Sequence, residues 1–265
     1  MTSKRSVFNT TSTKIGTTFL VTGILSLVVS IASESQILAF VGLGLTFWGA
    51  LFFTITPKRY VEGTLLESAA ISSYSTIDRI IKDLNYKGKC YYTPPYPKDV
   101  YLPEHLKGLK DMVAFVSAEN EGGLPSIQEL AEGKFSLENP KGVLVTPPGL
   151  GLLIQIEKEA KLDFSKLSLS ELCEVMPHFI LDDFSLAKEM EITLEENQVN
   201  LKIFDSIYKN LYSAESNLKS IGILGCPIVS AVACALAKAS GKPVTIQKIN
   251  VALDGSAIQV LYRIV

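Results

Sequence analysis

Three places in the chain carry residue types that could do chemistry. Cys226 stands directly before Pro227, and a thiol at a helix N-terminus has its thiolate, the nucleophilic form, stabilised by the helix dipole. His178 precedes Asp182 by four residues. On a helix that spacing puts imidazole and carboxylate on one face, where they can hold a metal or relay a proton. The loop Pro147–Gly151, with glycines at Gly149 and Gly151, separates an apolar run from a helical pattern. Strand, glycine-bearing loop and helix is the arrangement that offers backbone N–H groups to a phosphate.

None of the three is complete as a motif. A thiolate enzyme also needs a base and an orienting group, and the nearer of the two histidines, His178, is 48 positions from Cys226. His178 and Asp182 are two ligands where a metal centre needs more. The dinucleotide pattern requires a further glycine where Ile154 stands, and the P-loop requires a Lys-Ser/Thr pair that is absent here. Cys90, Cys173, Cys226 and Cys234 show neither CxxC nor disulfide-framework spacing, which points to a reducing compartment. The residues therefore favour a non-catalytic binding or scaffold module of unknown ligand. A membrane-anchored enzyme using Cys226 and a small-ligand or nucleotide sensor using the Pro147–Gly151 loop are the alternatives. No cofactor is assigned, and whether the protein is an enzyme stays open.

The elements that must position these residues begin with a long apolar stretch. Between Ile15 and Thr56 the only charge is Glu34. A hydrocarbon core of ~30 Å takes ~20 apolar residues of helix to cross, and segments 15–33 and 37–56 are each about that length. A two-span transmembrane hairpin is expected over 15–56. The competing reading is a cleaved signal peptide, with Lys4-Arg5 as its basic end and a small-residue site at Ser30-Ile31-Ala32. Lys4, Arg5 and Lys14 precede the first span and Lys58-Arg59 follow the second. By the positive-inside rule the 1–14 segment and everything after the hairpin face the cytoplasm. Small residues recur every four positions, as Thr18, Thr22, Ser26 and Ser30 and as Gly42, Thr46, Ala50 and Thr54. Such stripes let membrane helices approach closely and hydrogen-bond through hydroxyls. They are expected either to zip the hairpin shut or to face a second copy. The bilayer, through residues 15–56, is the first expected partner, and a protein partner or homodimer the second.

Residues 57–265 read as a cytosolic α+β domain, with helices packed on a largely antiparallel sheet in helix-plus-hairpin units at 168–204, at 227–265 and loosely at 65–102. Beyond residue 60 acidic residues exceed basic ones by six, and without basic runs nucleic acid is not an expected partner. Three capping boxes, Thr64/Glu67, Ser126/Glu129 and Ser168/Glu171, announce helix starts. Strands are expected at Lys89–Thr93, Asp99–Leu102, Met112–Ser117 and Gly142–Thr146. Alternating apolar residues from Met190 to Ile203 give an antiparallel hairpin with one wet face, and Asp205 is expected to cap a helix through Ser213. Pro227 at a first helical position and Gly241 as a left-handed stop bound a buried helix. Asp254-Gly255 suits a tight two-residue turn in a last hairpin. The polar, Gly- and Pro-bearing stretch 119–142 is the expected internal boundary. The Gly225-Cys226-Pro227 helix start with its terminal hairpin resembles the end of small-ligand-binding domains of the vinyl-reductase type, over residues 225–265 alone, and the resemblance carries no role to any residue.

Overall fold

The computed structural model describes residues 11–54, 62–86, 88–96, 101, 103, 109–119, 123–213, 216–252 and 254–265, with the side chains of 11–14 and 53–54 left aside. The chain divides into two compact units, Met1–Val61 and Glu62–Val265.

The first unit is a pair of antiparallel helices, α1 (Thr11–Ser33) and α2 (Gln36–Thr54). Glu34, left-handed at φ 48°, reverses the chain between them, and the Ser30 hydroxyl donates to the Ser35 carbonyl at 2.8 Å to close the turn. The two helices meet along a seven-residue repeat, with Gly16, Gly23 and Ser30 buried on α1 and Gly42 and Gly49 buried on α2. A side chain there would collide with the other helix. A Cβ at Gly23 would lie 2.6 Å from the Thr46 nitrogen, and one at Gly49 would lie 2.7 Å from the Leu20 nitrogen. Of the four-residue stripes, Ser26, Ser30, Gly42 and Thr46 lie on or beside this seam, whereas Thr18, Thr22 and Ala50 are exposed and the Thr54 side chain is outside the described set. The reason is geometric. A period of four drifts around a helix, and a period of seven stays on the line where two helices touch. The Thr46 hydroxyl donates to Gly42 of its own helix, so close backbone packing rather than that hydroxyl joins the pair.

The second unit is an α+β domain whose eight-stranded sheet is antiparallel throughout. Its strands are β1 (Cys90–Thr93), β2 (Val113–Ser117), β3 (Ser136–Glu138), β4 (Lys141–Val145), β5 (Glu189–Glu195), β6 (Gln198–Phe204), β7 (Val244–Val251) and β8 (Ala257–Ile264). Across the sheet they run β3-β4-β2-β1-β7-β8-β6-β5. The first four strands and the last four are wired identically: the first pairs with the second, the second with the fourth, the fourth with the third. The halves join where Tyr91 and Tyr92 of β1 meet Thr245 and Val244 of β7. Residues 123–142, polar as they are, form α4 (Ile127–Glu132), β3 and the start of β4 within this one sheet.

Helices α3 (Gly63–Asp83), α5 (Leu150–Ala160), α6 (Leu169–His178), α7 (Lys219–Leu224) and α8 (Pro227–Ser240) contribute to the larger core. Helix α8 is apolar on all sides, every residue from Pro227 to Ala237 is buried, and it packs on β1, β7, β8, α5 and α6. A smaller core lies on the opposite side of the first half, where Phe115 meets Leu130 of α4. The β5–β6 hairpin has one wet face, Glu191, Thr193 and Lys202 being exposed while Val199, Leu201 and Ile203 are buried.

Several local expectations are corrected. The boxes at Ser126/Glu129 and Ser168/Glu171 are closed reciprocally, but Thr64/Glu67 is not a box. Helix α3 has Glu62 as its N-cap without a side-chain bond, and Glu67 turns inward to accept from the Asn210 amide at 2.9 Å. Asp205 caps no helix: it is left-handed, its N–H donates to the Ser256 carbonyl, and only a short 3-10 turn, Lys209–Tyr212, follows. Pro177 sits inside the last turn of α6, and a π-turn, Phe179–Asp183, continues the winding. The last hairpin closes with a loop longer than two residues, in which Gly255 at φ 71° donates to the Ala252 carbonyl. Most of the expected Asp99–Leu102 strand lies outside the described residues.

Candidate functional site

Each residue singled out by its chemistry can be placed. Cys226 is the N-cap of α8 with no exposed surface. Burial pushes its thiol up, even though the N–H groups of Val229 and Ile228 and the Tyr212 hydroxyl favour the thiolate. Those N–H groups are the helix-start effect expected of this position, and burial outweighs it. Its own N–H donates to the Tyr212 hydroxyl at 2.9 Å. Gly149 is buried against α8: a Cβ there would lie 2.1 Å from the Ala231 nitrogen and 2.5 Å from the Pro227 carbonyl. Its N–H donates to the Ser230 hydroxyl at 2.9 Å. Gly151, two residues on, is exposed in the first turn of α5 with nothing within 4 Å of a Cβ. The Pro147–Gly151 loop thus spends its first glycine on helix packing. His178 and Asp182 do come together, Nδ1 to Oδ2 at 2.6 Å, on an exposed surface. No group of three metal-ligating side chains occurs among the described residues.

Around the α7–α8 junction the domain places a buried polar belt. The hydroxyl of Tyr74 donates to the Gly225 carbonyl at 2.6 Å, that of Tyr92 to Leu224 at 2.5 Å and that of Tyr262 to Val229 at 2.9 Å. The first two bonds occupy carbonyls that the end of α7 leaves open, and the third reaches the first turn of α8. Below them Asp78 accepts from the Ser220 N–H at 2.7 Å and pairs with Lys82. At the other end of α8, Lys238 bridges Glu157 at 2.5 Å and Asp163 at 2.9 Å. The Lys238 ammonium, together with the Ser165 bonds, holds the Asp163 carboxyl well below the usual range. Apart from the Lys82–Asp78 pair, which lies within α3, these contacts tie one element to another.

The concave surface lies elsewhere. A groove of about 590 Å³ runs between the 3-10 turn Lys209–Tyr212, α7 and the second half of β7. Leu211, Ile221 and Ile246 form its buried floor, and Lys219 and Lys248 are exposed at its edge. A β-bulge opens β7 here: Ile246 pairs with Tyr262 and Lys248 with Leu261, leaving Gln247 as the extra residue. The pairing of β7 with β1 reaches only to Thr245, and among the described residues no strand pairs with this edge of β7 beyond it. Sequence reasoning missed the groove because its walls come from two separate segments, Leu211 to Gly222 and Ile246 to Val251, and from a bulge that period-2 alternation does not announce.

A family model described as Domain of unknown function (DUF7982) matches residues 2–263. The chain belongs to this family. The DUF7982 match takes in both compact units, so hairpin and domain are parts of one family architecture. No curated protein and no solved structure matches the chain.

Proposed function

We propose that this DUF7982 chain is an integral membrane protein whose hairpin spans the bilayer and whose domain is a non-catalytic binding module on the cytoplasmic side. The observation that carries the anchoring is the surface of the hairpin. Ile31, Ile37 and Phe40 are 81%, 78% and 76% exposed, and Leu25, Val28, Leu43 and Phe47 are exposed with them. Contiguous apolar surface of that extent is unstable in water and is what lipid covers. A comparison inside the same chain sharpens the point. Lys219–Ser240 is as apolar and as long as a span, yet 89% of it is buried, against 17% of Ile15–Ser33. The first is the α7–α8 pair of the domain core, and the second leaves most of its apolar surface exposed. Burial of Cys226 and the packing role of Gly149 favour binding over catalysis.

Alkaline carbonate extraction of membranes should leave the chain in the pellet, and recovery in the supernatant would sink the anchoring. Impermeant thiol labelling of single cysteines at Ser35 and Ser216, in a background lacking the native four, tests orientation. Position 35 alone should react from outside, and reaction at 216 in intact cells would reverse the topology.

A further inference from the structure

We propose that the groove beside the free edge of β7 binds a small anionic amphiphile, its charged head held by Lys219 and Lys248 and its apolar body on the Leu211, Ile221 and Ile246 floor. The inference rests on the binding-module reading above and names its ligand class. The volume of about 590 Å³ falls in the range of small-molecule sites, roughly 300–1,000 Å³. Lys219 and Lys248 stand at the rim of an apolar base, and none of the described lining residues is acidic. An inorganic anion would leave that base wet, and a neutral apolar molecule would leave the cations unused. A phosphate or carboxylate on a short apolar chain uses both.

Gly222 is the independent observation. It lies within α7 and lines the groove, although glycine is among the poorest residues inside a helix. No contact demands it, because a Cβ would meet nothing within 4 Å, and it is not among the positive-φ glycines. Its effect is the space it leaves. A larger residue there would extend into the groove, which the bulge at Gln247 opens from the other wall. Two walls, one locally unfavourable residue on the first and a break in strand pairing on the second, converge on one hollow.

The test reads lysine reactivity in the full chain, in nanodiscs of phosphatidylcholine. Reductive methylation followed by peptide mass spectrometry gives a rate for each lysine, with exposed Lys158 as reference. Hexyl phosphate at ten times its half-protecting concentration should slow Lys219 and Lys248 about tenfold, as mass action requires, and leave Lys158 unchanged. Hexylammonium and inorganic phosphate should protect neither. Gly222→Ala should keep the effect and Gly222→Leu should remove it, with circular dichroism reporting that both variants are folded. Protection by phosphatidic acid placed in the nanodisc, without hexyl phosphate, would assign the head group to a lipid, and protection by hexyl phosphate alone would assign it to a free molecule. Equal protection by inorganic phosphate or hexylammonium, protection that survives Gly222→Leu, or no protection in any arm would overturn the proposal. Each of those failures leaves the anchoring reading standing, since carbonate extraction decides that independently.

Discussion

Replacing each glycine of the Gly149/Gly151 pair with alanine separates packing from ligand chemistry. At Gly149 the added Cβ would sit 2.1 Å from the Ala231 nitrogen, 2.5 Å from the Pro227 carbonyl and 2.6 Å from the Ser230 carbonyl carbon. All three are backbone atoms of α8, the helix on which the core is built, so no side-chain rotation relieves the clash and α5 must move away from α8. Overpacking of a well-filled core costs ~1–3 kcal/mol and occasionally more, and a backbone collision belongs at the upper end. For a unit of this size ~3 kcal/mol lowers Tm by about 6–12 °C. At Gly151 the Cβ meets nothing within 4 Å, and alanine gains up to ~1 kcal/mol of helix propensity, a rise of about 2–4 °C. The assay is near-UV circular dichroism of the full chain during heating, because the buried tyrosines Tyr74, Tyr92 and Tyr262 report the domain. Equal shifts of the same sign, or a loss of stability at Gly151, would refute the packing argument and return the Pro147–Gly151 loop to consideration as an anion cradle.

Other expectations follow from the same geometry. Iodoacetamide should modify Cys226 slowly in the native chain from pH 6 to 9, since burial raises its thiol, and rapid alkylation at pH 6 would restore the enzyme reading. Asp163 has a folded pKa below its unfolded value, chiefly through Lys238, so its contribution is complete above about pH 4 and drains away as the pH falls further. Lys238→Met should therefore flatten the acid limb of the stability profile, and an unchanged limb in a urea titration series would refute the linkage. In the hairpin, Gly49→Leu should separate the helices because its Cβ lies 2.7 Å from the Leu20 nitrogen, whereas Ala50→Leu, on an exposed position, should not. Bis-maleimide cross-linking of cysteines at Phe19 and Phe52, whose rings lie 5.9 Å apart, reads the difference, and equal yields would remove the seven-residue seam. The fragment Glu62–Val265 should be soluble and melt cooperatively, being compact by itself, and recovery only in detergent would show that the domain depends on the hairpin.

What the sequence made legible is what short-range chemistry decides. Pro227 and Gly241 bracket α8 because one lacks an N–H that the first turn does not use and the other takes φ 65° without strain. The β5–β6 hairpin and its wet face follow from alternation alone. Misreadings arose where a long-range partner overrode a local pattern. Thr64 and Glu67 have the spacing of a cap, but Glu67 finds Asn210, 143 positions away. Gly149 has the look of a phosphate loop, and its reason for being glycine is Ala231 on another helix. The four-residue stripes follow the spacing of one helix, whereas the seam follows the seven-residue spacing of the line between two. The groove at Gly222 left a single trace in the sequence, a glycine inside a helix, and only the three-dimensional clearance distinguishes it from a glycine demanded by contact.

The identical wiring of the two four-strand halves has a bearing on self-association. At the centre of the sheet the first strand of one half is joined to the third strand of the other, β1 to β7. The strands left at the outer rims are β3 and β5, which are the third strand of one half and the first strand of the other. Each molecule therefore carries on its two rims the complementary halves of a joint it has already made once inside itself, a head-to-tail relation that repeated between copies would extend without closing. The rims are blunted against it. Strand β3 is three residues long, and β5 presents Glu189, Glu191 and Glu195 to solvent, a short edge and a charged one being two ways proteins keep open sheets from polymerising.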